Sequence, residues 1–216
     1  MDSPFWIYCI GLSAQVFYTG RVFVQWYLSE KNKRVESPAL YWVLSIIGSM
    51  ILFFYGFLRK DFSIIFGEYI SYYIYMWNIN AKGLYRKVPK IVPLIQALIP
   101  VVAFITLFND IPEFARTFLR NEDVPLKLLI LGTCGQFIYK MRFVYQLIYS
   151  MKHEGKSLLP ASFWCIALVG STLIIIYGMI RHDWVLVLGQ FGIIASIRNI
   201  MIAMSDKKKD TNEETA

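Results

Sequence analysis

The sequence predicts an all-α membrane protein with seven transmembrane helices, a 3+1+3 arrangement of two parallel three-helix repeats joined by one extra helix. Three observations lead there. Hydrophobic residues make up 56% of the 216-residue chain against 17% charged, too much apolar surface for a small globule to bury, so lipid must cover part of it. Apolar runs of bilayer length recur at 4–28, 40–58, 62–81, 91–108, 124–149, 161–180 and 184–203. The polar and glycine positions of the first three runs return in the last three.

The first run contains QVFYTGRVFVQW, residues 15–26, where Arg21 stands between Gln15 and Gln25. Its opening, MDSPFW, lacks a cationic segment and the run is too long for a secretory signal, so a span is expected. Pro38 suits the start of the second helix, because its fixed φ is already helical. Gly48 and Ser49 then allow another helix to approach closely. In YGFLRKDF, residues 55–62, Arg59 and Asp61 form the pattern of a tight turn fixed by side-chain to backbone bonds. The third run, GEYISYYIYMWN, carries the acid Glu68 inside the bilayer region. That residue can accept a proton in coupled transport, or pair with an arginine such as Arg198. The run at 91–108 is the shortest and holds Pro93 and Pro100, so a kinked or re-entrant segment is the alternative to a span.

The basic residues fix the orientation. Lys31, Lys33, Arg34, Lys82, Arg86, Lys87, Lys90, Lys152, Lys156 and Lys207 to Lys209 fall on one side of a seven-span chain. Arg59, Lys60, Arg116, Arg120 and Arg181, with Lys127 at the margin, fall on the other. The positive-inside rule therefore expects the N-terminus in the periplasm and the C-terminus in the cytoplasm. The same distribution explains the net charge of +7 without nucleic acid, for which no binding motif is present. Cys9, Cys134 and Cys165 match no metal or disulfide spacing, and no cofactor is expected. Four regions result: a first repeat at 1–86, a linker helix and periplasmic loop at 87–123, a second repeat at 124–204, and a disordered tail at 205–216.

The repeat is specific. Residues 11–29 align with 132–150 at an offset of 121, pairing Gly11/Gly132, Gln15/Gln136, Tyr18/Tyr139, Arg21/Arg142, Gln25/Gln146 and Ser29/Ser150. Residues 38–68 align with 160–190 at an offset of 122. Their pairs include Pro38/Pro160, Trp42/Trp164, Gly48/Gly170, Tyr55/Tyr177, Arg59/Arg181, Asp61/Asp183 and Gly67/Gly189. Few of these are the aliphatic residues any two membrane helices share. Each copy spans three helices, so the linker helix is what returns the second copy to the same orientation. Secondary transporters of the sugar-carrying SWEET type have this construction, with the substrate path between repeats.

At about 100° per residue, the six matched positions of the first helix fall within an arc of about 120°. Such a polar face suits a helix lining a cavity or packing on a partner, not one facing lipid. Arg21 and Arg142 have two readings. They snorkel to the interface or pair within the bundle, or they bind an anionic group of a substrate with Gln25 and its counterpart Gln146 donating hydrogen bonds. No catalytic motif accompanies them: HExxH, P-loop and Ser/His/Asp patterns are all missing, and no enzymatic activity is expected.

The run Gln15-x5-Arg21-x3-Gln25-Trp26-x2-Ser29-Glu30, followed by Pro38, Trp42, Ser45-x2-Gly48, Tyr55, Arg59-x-Asp61, Gly67 and Tyr75-x2-Asn78, resembles one family. That family is the lipid-A-disaccharide synthase N-terminal-like domain, or lipid A biosynthesis N-terminal domain, placed with the PQ-loop and SWEET-like proteins. The likeness covers residues 5–80 well and 128–201 less closely. Where the family usually has Arg-Asn on the third helix, the first copy has Trp77-Asn78, while the second keeps Arg198-Asn199. The second copy also lacks the Trp and Glu after Gln146, and the glycosyltransferase that gives the family its name is absent from these residues.

The resemblance implies a bacterial inner-membrane protein, surrounded by membrane lipids and associated with a polyprenyl-phosphate glycosyltransferase. The leading expectation is a translocator of a lipid-linked or phosphorylated sugar for lipid A and envelope glycolipid assembly. Arg21, Arg142 and Arg198 would hold the phosphate, and Gln15, Gln25, Gln136 and Gln146 the polar head. Tyr18, Tyr139, Glu68, Asn78 and Asn199 complete the candidate site. The alternatives are a SWEET-like carrier of a free small solute and a non-catalytic membrane subunit that anchors a glycosyl- or acyltransferase.

Overall fold

A computed structural model describes residues 4–32, 38–119, 124–152, 161–194, 196–198 and 200–201. The expected tail at 205–216 and the helix start at Pro160 lie outside the described residues. The described chain is all α. Its helices are α1 (Phe5–Asn32), α2 (Ala39–Leu58), α3 (Phe62–Ala81), α4 (Ile91–Phe108), α5 (Ile111–Phe114), α6 (Leu126–Lys152), α7 (Ala161–Ile180) and α8 (Trp184–Leu188). A 3-10 turn at Leu84–Lys87 leads into α4, and a π-helical turn at Ala115–Leu119 follows α5.

Four of these helices are long and apolar enough to cross a membrane: α1 over Phe5–Leu28, α2, α4 and α7. Their outward side chains are large hydrocarbons, among them Val16, Phe54, Ile105 and Val169, all exposed. Helices α3 and α6 have the length, at 20 and 27 residues. Both carry polar side chains, and those side chains point inward: Glu68 and Asn78 on α3, Gln136, Lys140, Arg142 and Gln146 on α6, all buried.

The run expected to form one helix over 184–203 is interrupted. Helix α8 stops at Leu188, and the bonds Gln190 N to Val187 O (3.1 Å) and Phe191 N to Leu188 O (3.3 Å) tighten the backbone into a 3-10 turn before helix resumes at Gly192. Close packing sits at the break: a methyl group on Gly189 would lie 2.7 Å from Oε1 of Gln15. Across the membrane-facing linker no such break occurs. Pro93 sits in the first turn of α4, and the helix continues through Pro100 to Phe108.

Each sequence copy packs within itself, α1 on α2 on α3 and α6 on α7 on α8. The copies also exchange contacts: α3 of the first lies on α6 of the second, and α8 of the second lies on α1 of the first. The matched glycines make these approaches possible. A methyl on Gly48 would meet the Tyr18 ring at 3.1 Å, and one on Gly170 would meet the backbone nitrogen of Tyr139 at 2.5 Å. Two large apolar clusters fill the interior, and a smaller one of Ile65, Phe114 and Phe118 sits beside the linker. One large cluster joins Leu52, Tyr55 and Ile64 to Ile174, Tyr177 and Leu186; the other joins Trp42 and Tyr75 to Phe143, Phe163 and Trp164. Both of the large clusters mix residues of the two copies.

The α2–α3 and α7–α8 turns are built alike. Lys60 (φ 50°) and His182 (φ 51°) adopt the left-handed conformation, which reverses the chain between each Arg and Asp. Asp61 caps α3 by accepting from the backbone of Ser63 and Ile64, and Asp183 accepts from Leu186 N. The linker helix is held differently. Tyr72 and Tyr73 donate from α3 to the carbonyls of Gln96 and Ala97 on α4, each at 3.0 Å.

Candidate functional site

The polar stripes of α1 and α6 face one cavity of about 210 Å³ inside the bundle. Of the sequence-predicted residues, Gln15, Tyr18, Arg21, Gln25, Glu68, Gln136, Tyr139 and Arg142 line it. Three of the others lie off this wall. Gln146 is buried one turn further on, donating to Ser150 Oγ at 3.1 Å. Asn78 turns back to the carbonyl of Ile74 at 2.9 Å. Arg198 is exposed and is not among the residues that line the cavity. Asn199 lies outside the described residues.

Neither arginine of the stripe snorkels. Arg21 and Arg142 are 6% and 5% exposed. Nη1 of Arg21 donates to Ser45 Oγ at 2.9 Å and to Tyr75 Oη at 3.2 Å. Its guanidinium carbon lies 4.5 Å from the centre of the Tyr18 ring and 5.2 Å from that of Tyr41. Arg142 lies 3.7 Å over Tyr139 and 4.7 Å over Phe143. Aromatic faces soften the burial of a guanidinium, each by about 0.5–2 kcal/mol, but they do not neutralise it. Among the described residues no carboxylate reaches either group, and both Nε atoms lack a hydrogen-bond partner. Among the described residues, these are buried cations without an anion beside them.

The one acid of the cavity is spoken for. Glu68 Oε1 accepts from Lys140 Nζ at 2.7 Å and Oε2 from Tyr18 Oη at 2.6 Å. Its partner is therefore Lys140, not Arg198. Lys140 is 4% exposed and is not among the identities that the two copies share. The signal lay in the differences. Lys140 aligns with Thr19, and Glu68 aligns with Gln190, so the ion pair of one place becomes a neutral pair in the other. Thr19 and Gln190 line the same cavity. Among the described residues, three buried cations, Arg21, Lys140 and Arg142, thus line the cavity with a single buried anion, an excess of positive charge.

Away from the cavity the Arg-x-Asp turns cross-link the two copies. Tyr55 Oη donates to Asp183 at 2.9 Å, and Tyr177 Oη donates to Asp61 at 2.6 Å. Arg59 lies 3.4 Å from Asp183, and Arg181 lies 3.8 Å from Asp61. Each Asp caps its own helix while binding the Tyr and Arg of the other half. Burial pushes the Asp61 carboxyl up, with the Tyr177 hydrogen bond and Arg181 pulling against it. The side-chain to backbone bonds expected at these turns are present, and the bonds to the opposite copy come in addition.

Cysteines Cys9, Cys134 and Cys165 are exposed and unpaired, and the described residues contain no cluster of metal-binding side chains.

The sequence is similar to those of known proteins. The chain is 29% identical over 206 residues to a lipid-A-disaccharide synthase of Chlamydia caviae, covering 91% of this chain and 33% of that one. It is 28% identical over 208 residues to that of Chlamydia trachomatis serovar D, covering 92% and 34%. The chain spans about a third of the length of these relatives. No solved structure matches it. The sequence pattern described as Lipid A Biosynthesis N-terminal domain matches residues 10–80 and matches again at 131–201, the two halves that exchange contacts. The chain belongs to the lipid A biosynthesis N-terminal domain family and carries that domain twice.

Proposed function

We propose that the chain is an inner-membrane translocator of a lipid-linked or phosphorylated sugar used in lipid A and envelope glycolipid assembly. The observation that carries this reading is the pair Arg21 and Arg142, buried in one cavity without a carboxylate while Glu68 is held by Lys140. Buried charges are normally paired. An arginine offers a planar fork of donors that fits a phosphate group, and two of them with free Nε atoms suit an anionic head. Gln15, Gln25 and Gln136 on the same wall supply donors and acceptors for a sugar.

In this reading seven helices cross the membrane in a 3+1+3 SWEET-like order, with α3, α6 and the broken helix after Trp184 as spans besides the four apolar ones. Their polar faces meet the cavity and their apolar faces meet lipid. The distribution of Lys and Arg supports a periplasmic N-terminus and a cytoplasmic C-terminus. The broken third helix beside Gln15 supports transport as well, since interrupted helices line the binding sites of many carriers. No reaction is assigned to the chain itself.

Translocation of a fluorescent lipid-phosphate sugar in proteoliposomes tests the proposal. Wild type is expected to carry it, and Arg21→Gln and Arg142→Gln to lower the rate about tenfold or more. Unchanged rates in both variants would remove the mechanism. If the variants spare a neutral solute that wild type carries, a SWEET-like carrier is the better reading.

A second reading rests on the relatives, in which the matched third is part of a longer protein named as a synthase. The domain would then anchor a glycosyl- or acyltransferase, such as a polyprenyl-phosphate glycosyltransferase, at the membrane. Co-purification with such an enzyme and no flux in liposomes would favour it.

A further inference from the structure

A second cavity of about 440 Å³ opens between α2, α3 and α4. Its chemistry is the opposite of the first. Phe53 and Phe57 line it from α2, Tyr69 from α3, and Ile99 and Ala103 from α4. Two of its polar side chains are already engaged: Tyr72 donates to Gln96 O, and Thr106 donates to Ala103 O at 2.8 Å. An apolar cavity of about 150 Å³ stays dry and takes up a benzene molecule. This one has roughly three times that volume. It lies on helices α2 and α4, whose outer faces are built for hydrocarbon, with Phe54 and Ile105 exposed beside it.

One residue lines both cavities, and it is Glu68. Both of its oxygens are engaged toward the polar side, by Lys140 and Tyr18. Glu68 thus belongs to the walls of both, with a cationic chamber on one side of it and a hydrocarbon-lined groove on the other. A molecule occupying both would carry an anionic head and an alkyl or isoprenoid chain.

We infer that the α2–α3–α4 groove is the site for the hydrocarbon chain of the same molecule whose anionic head occupies the Arg21–Arg142 cavity. The inference rests on the anionic-head reading above and narrows it from phosphorylated sugars in general to lipid-linked ones. The groove does not work by drawing the chain out of water, because the chain is in lipid before and after. It works by contact with the aromatic wall and by fixing where the head can sit.

The test is photocrosslinking of the full chain in phosphatidylcholine nanodiscs with hexadecyl phosphate bearing a mid-chain diazirine. A hexadecanol probe with the same diazirine is the neutral control. The phosphate probe is expected to label α2 and α4 at the groove, about tenfold above the alcohol. Excess unlabelled hexadecyl phosphate should compete, and Ala103→Trp, which fills the groove, should remove the labelling there. Equal labelling by both probes would mean that bulk lipid fills the groove, and overturns the inference. Phosphate-dependent labelling elsewhere in the chain would also overturn it. Titration with water-soluble glucose 1-phosphate separates the two claims. If that anion binds in an Arg21-dependent way while the groove shows no phosphate preference, the chain site falls and the head site stands. If neither phosphate engages Arg21, the head reading falls and the chain site falls with it.

Discussion

Glu68 and Lys140 meet 2.7 Å apart in the interior, tying α3 of the first domain copy to α6 of the second. Removing one partner of a buried pair leaves an uncompensated charge and costs about 3–5 kcal/mol. Glu68→Gln and Lys140→Thr should each destabilise the chain by that order. The neutral pair Thr19 and Gln190 occupies the matching place in the other half. The double variant, which copies that pair, should therefore recover much of the loss. Thermal unfolding of the single and double variants in one detergent checks this, and purely additive losses would count against a direct pair.

The crossed turns make a second prediction. Tyr55 and Tyr177 donate to buried carboxylates of the opposite copy. Losing a hydrogen bond to a charged group costs about 1.5–3 kcal/mol. Tyr55→Phe and Tyr177→Phe should each lower the melting temperature, while Tyr27→Phe, on an exposed side chain, should not. Equal behaviour of all three would show that the cross-links contribute nothing to stability.

The matched glycines differ in what they touch, and the difference can be measured. At Gly170 the obstacle is the backbone of Tyr139, which cannot step aside; at Gly48 it is chiefly the ring of Tyr18. Overpacking costs about 1–3 kcal/mol, more where the neighbour is rigid. Gly170→Ala should destabilise more than Gly48→Ala in the same unfolding assay.

Helix bounds were legible in the sequence because bilayer length and hydropathy dictate them. The ends of α2, α3, α4 and α7 fall within a residue or so of the apolar runs. The cavity wall was legible too, through the positions that both copies preserve on one face of α1 and α6. Three things were not. Lys140 is hidden because the two copies differ there, the ion pair occupying only one of two equivalent places. The exchange of Asp61 and Asp183 between halves depends on contacts more than a hundred residues apart, which local turn patterns do not encode. The break after Leu188 lies within an apolar run, and only the close approach of Gln15 to Gly189 marks it.

The central claim is that Arg21 and Arg142 together hold an anionic head, and equilibrium binding tests it most directly. A short-chain lipid-phosphate sugar and its uncharged glycoside are titrated into nanodiscs carrying wild type, Arg21→Gln or Arg142→Gln. The expected result is a preference of wild type for the phosphate of about tenfold or more, reduced in each variant. Equal binding of the charged and uncharged ligands, unchanged in both variants, would contradict it.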